Sequence, residues 1–139
     1  MKIAGKTFLA IIFVLFFSCE DQGLFVKCPD CTVDKPLKTN LNVKLDNSYS
    51  GNQTVINVYE GNLEDSVLYS SFEVTGDHTY INVSLNKKFT VTATYYIPSD
   101  YFIAIGSATP RVKFDKTKCD DPCYFVYDKD IDLRLKYTK

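Results

Sequence analysis

The sequence contains no tryptophan, a single methionine at its start and a single histidine, His78. Ten tyrosines and ten phenylalanines must therefore supply the large aromatic side chains of any core, although four of the phenylalanines lie within residues 8–17. A Ser-His-Asp nucleophile system needs a histidine as its base, so every such hypothesis rests on His78. This residue follows Gly76-Asp77 at the start of a predicted strand, and a turn explains it without chemistry. We therefore expect no enzyme of this type.

The sequence also lacks an apolar run long enough to cross a membrane. Residues 8–17 are ten consecutive apolar residues, whereas a spanning helix needs roughly 20. Lys2 and Lys6 precede this run, and Ser18-Cys19 follows it. A basic start, a short apolar stretch and a small residue before the cut are typical of a secretory signal peptide. Residues 1–18 are therefore predicted to be a signal peptide.

The residues around the predicted cleavage site resemble the lipobox of bacterial lipoproteins. They read Phe16-Phe17-Ser18-Cys19, with phenylalanine at the first position, where leucine is usual. The resemblance implies that Cys19 is lipidated and becomes the first residue of the mature chain. The acidic residues Glu20-Asp21 resemble the surface-export signal of lipoproteins in the Bacteroidota phylum, although a simple solvated linker is the alternative. Residues 19–27 would then be the lipidated cysteine and tether of an outer-membrane, cell-surface protein.

The charge balance gives no sign of a nucleic-acid partner. Removal of Lys2 and Lys6 with the signal peptide leaves 14 basic residues against 17 acidic ones. Nucleic-acid binding needs a clustered positive patch, which this balance does not suggest. We expect the chain to contact the membrane through its lipid anchor and to bind a protein or a glycan.

Five cysteines are an odd number for an exported chain. If Cys19 carries lipid, Cys28, Cys31, Cys119 and Cys123 remain, and oxidising compartments favour their pairing as disulfides. We expect cross-links between the two clusters, although local links within each cluster are also compatible with the spacing. The competing interpretations are a zinc site with four thiolates and a redox C-x-x-C motif.

Short runs that alternate apolar and polar residues follow one another from Lys38 to the end of the chain. Leu41, Val43 and Leu45 alternate with polar residues, and the same period recurs in Ile131–Tyr137. A period of two predicts half-buried strands. About seven to nine such runs, separated by turn residues at roughly 8–12-residue intervals, predict an all-β fold, an antiparallel β-sandwich.

The predicted sandwich forms a single domain, residues 28–139. Its Tyr59-Glu60-Gly61 turn and its Phe89–Ile97 strand resemble those of immunoglobulin-like or prealbumin-like modules on bacterial surfaces. This resemblance implies a β-sandwich of one of those two types.

Aromatic residues around Pro98 form a candidate ligand surface made of Tyr95, Tyr96, Tyr101 and Phe102. Exposed tyrosines bind sugar rings or protein partners because they combine a rigid apolar ring with a polar tip. Packing in a core without tryptophan is the alternative role for these side chains.

A second candidate site is the alternating series Asp128, Asp130 and Asp132, whose oxygens could bind Ca²⁺. An EF-hand-type loop needs glycine at its sixth position and a later glutamate, and position 133 is leucine. We favour a charged turn, and we expect no metal and no cofactor.

The sequence predicts a non-enzymatic, lipid-anchored β-sandwich that acts as an interaction or accessory module. A carbohydrate-binding module that uses surface tyrosines is the alternative. An enzyme built on paired carboxylates would need a pair of acidic residues that no motif in the sequence singles out.

Overall fold

The structure is a computed structural model that describes residues 27–47, 53–65 and 67–136. The predicted signal peptide and Cys19 lie outside these residues. Within the described ranges the chain forms nine β-strands and two 3₁₀ turns, Cys28–Asp30 and Leu63–Asp65, so the prediction of an all-β chain is confirmed. No described helix is long and apolar enough to cross a membrane. The strands are β1 (Lys38–Lys44), β2 (Thr54–Glu60), β3 (Leu68–Val74), β4 (His78–Ser84), β5 (Phe89–Ile97), β6 (Asp100–Ala108), β7 (Arg111–Asp115), β8 (Cys123–Tyr127) and β9 (Asp130–Asp132).

The strands form three sheets. One has the order β4-β1-β9, a second has the order β3-β2-β5-β6, and β7 pairs with β8 in a separate hairpin. Five of the six strand pairings are antiparallel, and the pairing of β1 with β9 is parallel. The three-stranded and four-stranded sheets supply the two sides of one core, as expected of a β-sandwich.

The core lies between these two sheets and is built by the predicted alternation. Leu41 and Val43 of β1 and Ile56 and Val58 of β2 are fully buried, whereas their neighbours along each strand are more exposed. The central strand β5 supplies Phe89, Val91, Ala93 and Tyr95 to the same cluster. Each face of a strand therefore has a distinct environment, because successive side chains point to opposite sides.

Gly106 of β6 lies close against side chains from β9 and the residue that follows it. A Cβ atom at this position would lie 2.6 Å from Cγ2 of Ile131 and 2.9 Å from Cδ2 of Leu133. Both of those side chains are buried, so they have little room to move aside. Glycine is therefore the residue that lets the two sheets pack closely at this point.

The last strand is shorter than predicted. The alternating run Ile131–Tyr137 suggested a strand along its whole length, but β9 covers only Asp130–Asp132. Beyond β9, the carbonyl of Leu133 accepts a hydrogen bond from the Tyr95 hydroxyl, and the Asp46 carboxylate accepts the N–H of Leu135. The N–H of Leu133 still donates to the carbonyl of Lys44 at 2.9 Å, and beyond this bond side chains become the partners of the backbone.

Candidate functional site

Four cysteines tie the N-terminal segment to the hairpin. Cys28 is bonded to Cys119 and Cys31 to Cys123, with Cα–Cα separations of 5.7 and 5.6 Å. The prediction of disulfides that link the two clusters is confirmed, and the structure also fixes which cysteines pair. Beside them, Thr32 and Tyr124 exchange two backbone hydrogen bonds of 2.8 and 2.7 Å. The segment that follows the predicted tether is therefore attached to β8 by covalent and hydrogen bonds.

A turn at the end of β7 positions Cys119 for its disulfide. The Asp115 carboxylate accepts the N–H groups of Thr117 at 2.8 Å and Lys118 at 2.9 Å. These backbone hydrogen bonds hold the pKa of Asp115 below its ordinary value, because they stabilise the charged carboxylate. An ionised Asp115 thus fixes the direction in which the chain leaves β7.

The cysteine sulfurs lie close together but are not available as zinc ligands. The Sγ atoms of Cys31, Cys119 and Cys123 lie within 4.8 Å of one another. All three belong to disulfides, whereas zinc binds the thiolate form of cysteine. The arrangement therefore matches the disulfide interpretation rather than the zinc one.

His78 lies at the start of β4 beside an acidic neighbour. Its Nδ1 atom lies 2.6 Å from a carboxylate oxygen of Asp77, and both side chains are more than half exposed. The hydrogen bond from His78 lowers the pKa of Asp77. The imidazole also makes an edge contact with the Tyr80 ring. Within the described part of the chain, no serine, threonine or cysteine is hydrogen-bonded to the imidazole.

The three aspartates proposed as calcium ligands do not converge. Asp128 accepts the N–H of Thr109, and Asp130 accepts a hydrogen bond from the Asn42 amide at 2.7 Å. Asp132 instead forms an ion pair with Arg134, and the hydrogen bonds from this arginine hold the pKa of Asp132 far below its usual range. Each carboxylate therefore serves a separate local contact.

The candidate aromatic surface is divided between the two faces of the four-stranded sheet. Tyr95 is buried, with 1% of its surface exposed, so its assignment to a ligand surface was wrong. Its hydroxyl donates to the carbonyl of Leu133 at 2.9 Å and accepts the N–H of Asp46 at 3.1 Å. Burial raises the pKa of Tyr95, because the phenolate would lose its hydration.

Tyr96 and Tyr101 lie side by side on the outer face, the face of the four-stranded sheet that points away from the core. They are directly paired across β5 and β6 and are 49% and 56% exposed. Phe102 pairs with Tyr95 and lies on the core-facing side of β6, at its exposed margin. Two of the four predicted residues therefore form one surface together.

An open groove of about 830 Å³ runs beside Tyr96 at the end of the sheet where β5 turns into β6. Gln53, Glu73 and Thr75 contribute polar groups to it, and Val55 and Pro98 contribute apolar ones. An aromatic ring next to amide, carboxylate and hydroxyl groups is a combination that suits a polar ligand with an apolar face.

Sequence reasoning missed the residues that extend this surface along β6. Ile103 and Ile105 are 52% and 57% exposed. They share the odd-numbered positions of β6 with Tyr101, so the three side chains form a row on the outer face. The signal was present in the sequence, because no charged residue occurs between Tyr101 and Pro110. We call Tyr101, Ile103 and Ile105 the β6 row.

Comparisons with known proteins do not assign the chain to a family. No protein family, no curated protein and no solved structure gave a match.

Proposed function

We propose that the chain is an exported lipoprotein whose β-sandwich is held at a membrane by lipid on Cys19. The supporting observation is the pairing of the cysteines. Cys28 and Cys119 bond to each other, as do Cys31 and Cys123, which leaves Cys19 as the odd one of five. Stable disulfides are typical of compartments outside the cytoplasm. The charged start and the ten-residue apolar run before Cys19 fit the same route of export.

The test is the exported protein with Cys19→Ser, analysed by cell fractionation and intact mass. We expect this variant to lose its membrane association and the added mass of the acyl chains. The matched control replaces a different pair of cysteines, Cys28→Ala with Cys119→Ala, and should stay with the membrane. Persistent membrane association and lipid labelling of Cys19→Ser would contradict the proposal.

We further propose that the anchored sandwich faces the outside of the cell at the outer membrane. The acidic residues Glu20 and Asp21 next to Cys19 support this placement, through their resemblance to the export signal of Bacteroidota lipoproteins. Protease added to intact cells should remove the domain. Protection from protease until the outer membrane is opened would place it on the periplasmic side instead.

The role we propose for the sandwich is that of a non-enzymatic interaction module. Asp77 pairs with His78 and Asp132 with Arg134, so these charged side chains serve separate local contacts. Tyr96 and the β6 row form an exposed, mostly apolar surface on the outer face. Exposed apolar patches of this kind mark surfaces that bind partners.

A carbohydrate ligand is the second candidate, and the groove beside Tyr96 favours it. Glycan-array binding by the wild-type protein should be lost in Tyr96→Ala, since this ring lines the groove. The control Tyr124→Ala changes a half-buried tyrosine in the distant hairpin and should leave array binding unchanged. Absence of any glycan signal from the wild-type protein would exclude this second candidate.

Of the two fold resemblances, we propose that the prealbumin-like one applies. In an immunoglobulin-type sandwich the first, second, fourth and fifth strands share a sheet. Here the second and fifth strands lie between the third and the sixth, and the first and fourth pair in the other sheet. An experimental structure with the immunoglobulin order would contradict this choice.

A further inference from the structure

Among the described strands, none pairs with the outer edge of β6. β6 is the last strand of its sheet, and its two-residue turn pairs Asp100 with Ile97. In an antiparallel ladder, alternate residues direct N–H and C=O away from the partner strand. Because Asp100 is bonded to Ile97 across the turn, the even-numbered residues of β6 bond to β5. The odd-numbered residues direct their N–H and C=O groups away from it. The N–H of Tyr101 accordingly bonds to the Asp100 carboxylate at 2.8 Å rather than to β5.

The same residues carry the exposed apolar side chains. Ile103 and Ile105 are 52% and 57% exposed, and by the register of the ladder their backbone groups point away from β5. Within the described ranges, the backbone of these two residues makes no hydrogen bond outside the β5–β6 ladder. An edge with free N–H and C=O groups and an apolar row can accept another extended strand.

Beyond its first residue, Asp100, β6 lacks the usual protections of an edge strand. Charged residues, prolines and bulges normally prevent edges from pairing with other chains. From Tyr101 to Ala108 the strand has neither charge nor proline, and its register with β5 continues without a bulge. The opposite edge of the same sheet, β3, contains Glu73 and a bulge at its pairing with Tyr59.

A second copy of β6 is the strand that fits this edge best. In an antiparallel pair with a two-fold axis at Ala104, Ile103 of one copy would lie opposite Ile105 of the other, and no two like charges would meet. Tyr101 of the second copy would then lie opposite Ser107. Ser107 and Ile105 border a depression of about 320 Å³ on the outer face, which offers a place for that tyrosine ring.

We propose that the chain forms a two-fold dimer by antiparallel pairing of β6 with β6 of a second copy. This inference rests on the proposed function, because it takes β6, which carries the exposed apolar row, as the interaction surface and names its partner. In the dimer, the two four-stranded sheets join into one eight-stranded sheet, and the two β6 rows lie next to each other at its centre. Anchoring of both copies in one bilayer raises their local concentration and favours the pairing.

The test uses the lipoprotein extracted from membranes in a mild detergent and measured by native mass spectrometry. We expect twice the mass of one chain for the wild-type protein and the mass of one chain for Ile103→Lys. Lysine on a paired edge is expected to weaken association by at least about tenfold. The matched control Leu68→Lys changes a similarly exposed residue on β3 and should remain dimeric.

Hydrogen exchange locates the interface in the same samples. The amides of Ile103 and Ile105 should exchange slowly in the wild-type protein and at least about tenfold faster in Ile103→Lys. A wild-type monomer, or a dimer that Ile103→Lys does not disrupt, would overturn the inference. The proposed function would then still stand if membrane attachment depended on Cys19, so the two failures can be told apart.

Discussion

In the sandwich, fourteen buried side chains from the two facing sheets and from the residues just after β1 and β9 form one apolar cluster. In the hairpin β7–β8, by contrast, only Asp115, Cys123 and Phe125 are buried. None of these three belongs to the cluster. The hairpin is instead attached through two disulfides and the backbone bridge between Thr32 and Tyr124. Two strands alone are marginally stable in water. The comparison shows that cross-links stabilise the end of the molecule where packing is thin.

The largest expected effect comes from removal of both disulfides, Cys28–Cys119 and Cys31–Cys123, by paired replacement with alanine. In the chain-entropy model, loss of either one costs about 2–3 kcal/mol, since the other still holds the ends of the large loop together. Loss of both releases a loop of about 90 residues and costs on the order of 7 kcal/mol. Urea unfolding of the two single-disulfide variants and of the variant without disulfides measures these changes in the free energy of unfolding. If losing both disulfides cost only the sum of the two single losses, the two bonds would not act as a single cross-link.

A matched pair of valines compares packing in the two regions. Val58→Ala removes two methyl groups from a fully buried site and should lower the free energy of unfolding by about 2 kcal/mol. Val126→Ala makes the same change at a partly buried position of β8 and should cost less than half as much. Equal costs by urea unfolding would mean that the hairpin is packed as well as the sandwich.

A pair of tyrosines compares the buried and exposed faces of the four-stranded sheet. Tyr95→Phe removes the hydroxyl that bonds to Leu133 and Asp46, and the unpaired backbone groups should cost about 1–3 kcal/mol. Tyr101→Phe removes a hydroxyl from the exposed outer face and should change the stability by less than about 0.5 kcal/mol. Thermal unfolding of both variants checks this, and a neutral Tyr95→Phe would contradict the role given to its hydroxyl.

The smallest expected effect is a pH dependence at the turn that positions Cys119. Because the pKa of Asp115 is lowered in the folded state, its ionised form stabilises the fold above its unfolded pKa, near 3.8. This stabilisation is lost as the pH falls through the lower folded value. Asp115→Asn should therefore have a lower Tm than the wild type at pH 7, and the difference should shrink towards pH 2. A Tm difference that does not change with pH would show that the charge of Asp115 does not stabilise the fold.

The strands could be predicted from the sequence because alternation directly reports which side chains are buried. Leu41 and Val43 show the rule well, since period two and burial coincide there. Strand pairing could not be predicted, because it depends on contacts between distant segments. The parallel pairing of Val43 with Ile131 is an example, because no local pattern in either segment indicates it.

The candidate site was predicted only in part. Tyr95 and Tyr96 are adjacent in the sequence, and aromatic character alone does not say which of them faces the core. The disulfides between the clusters were expected, but the choice of Cys28–Cys119 over Cys28–Cys123 depends on the turn at Asp115. Ile103 and Ile105 were overlooked because isoleucine in a strand usually signals burial.

Hydrogen exchange with and without reductant tests most directly whether core packing stabilises the sandwich and disulfides stabilise the hairpin. The measurement uses a sulfate buffer that keeps the reduced protein folded. After reduction, amides of the hairpin, residues 111–127, should lose far more protection than amides of β2 and β5. Equal protection in the two regions, whether retained or lost, would contradict this account of the molecule.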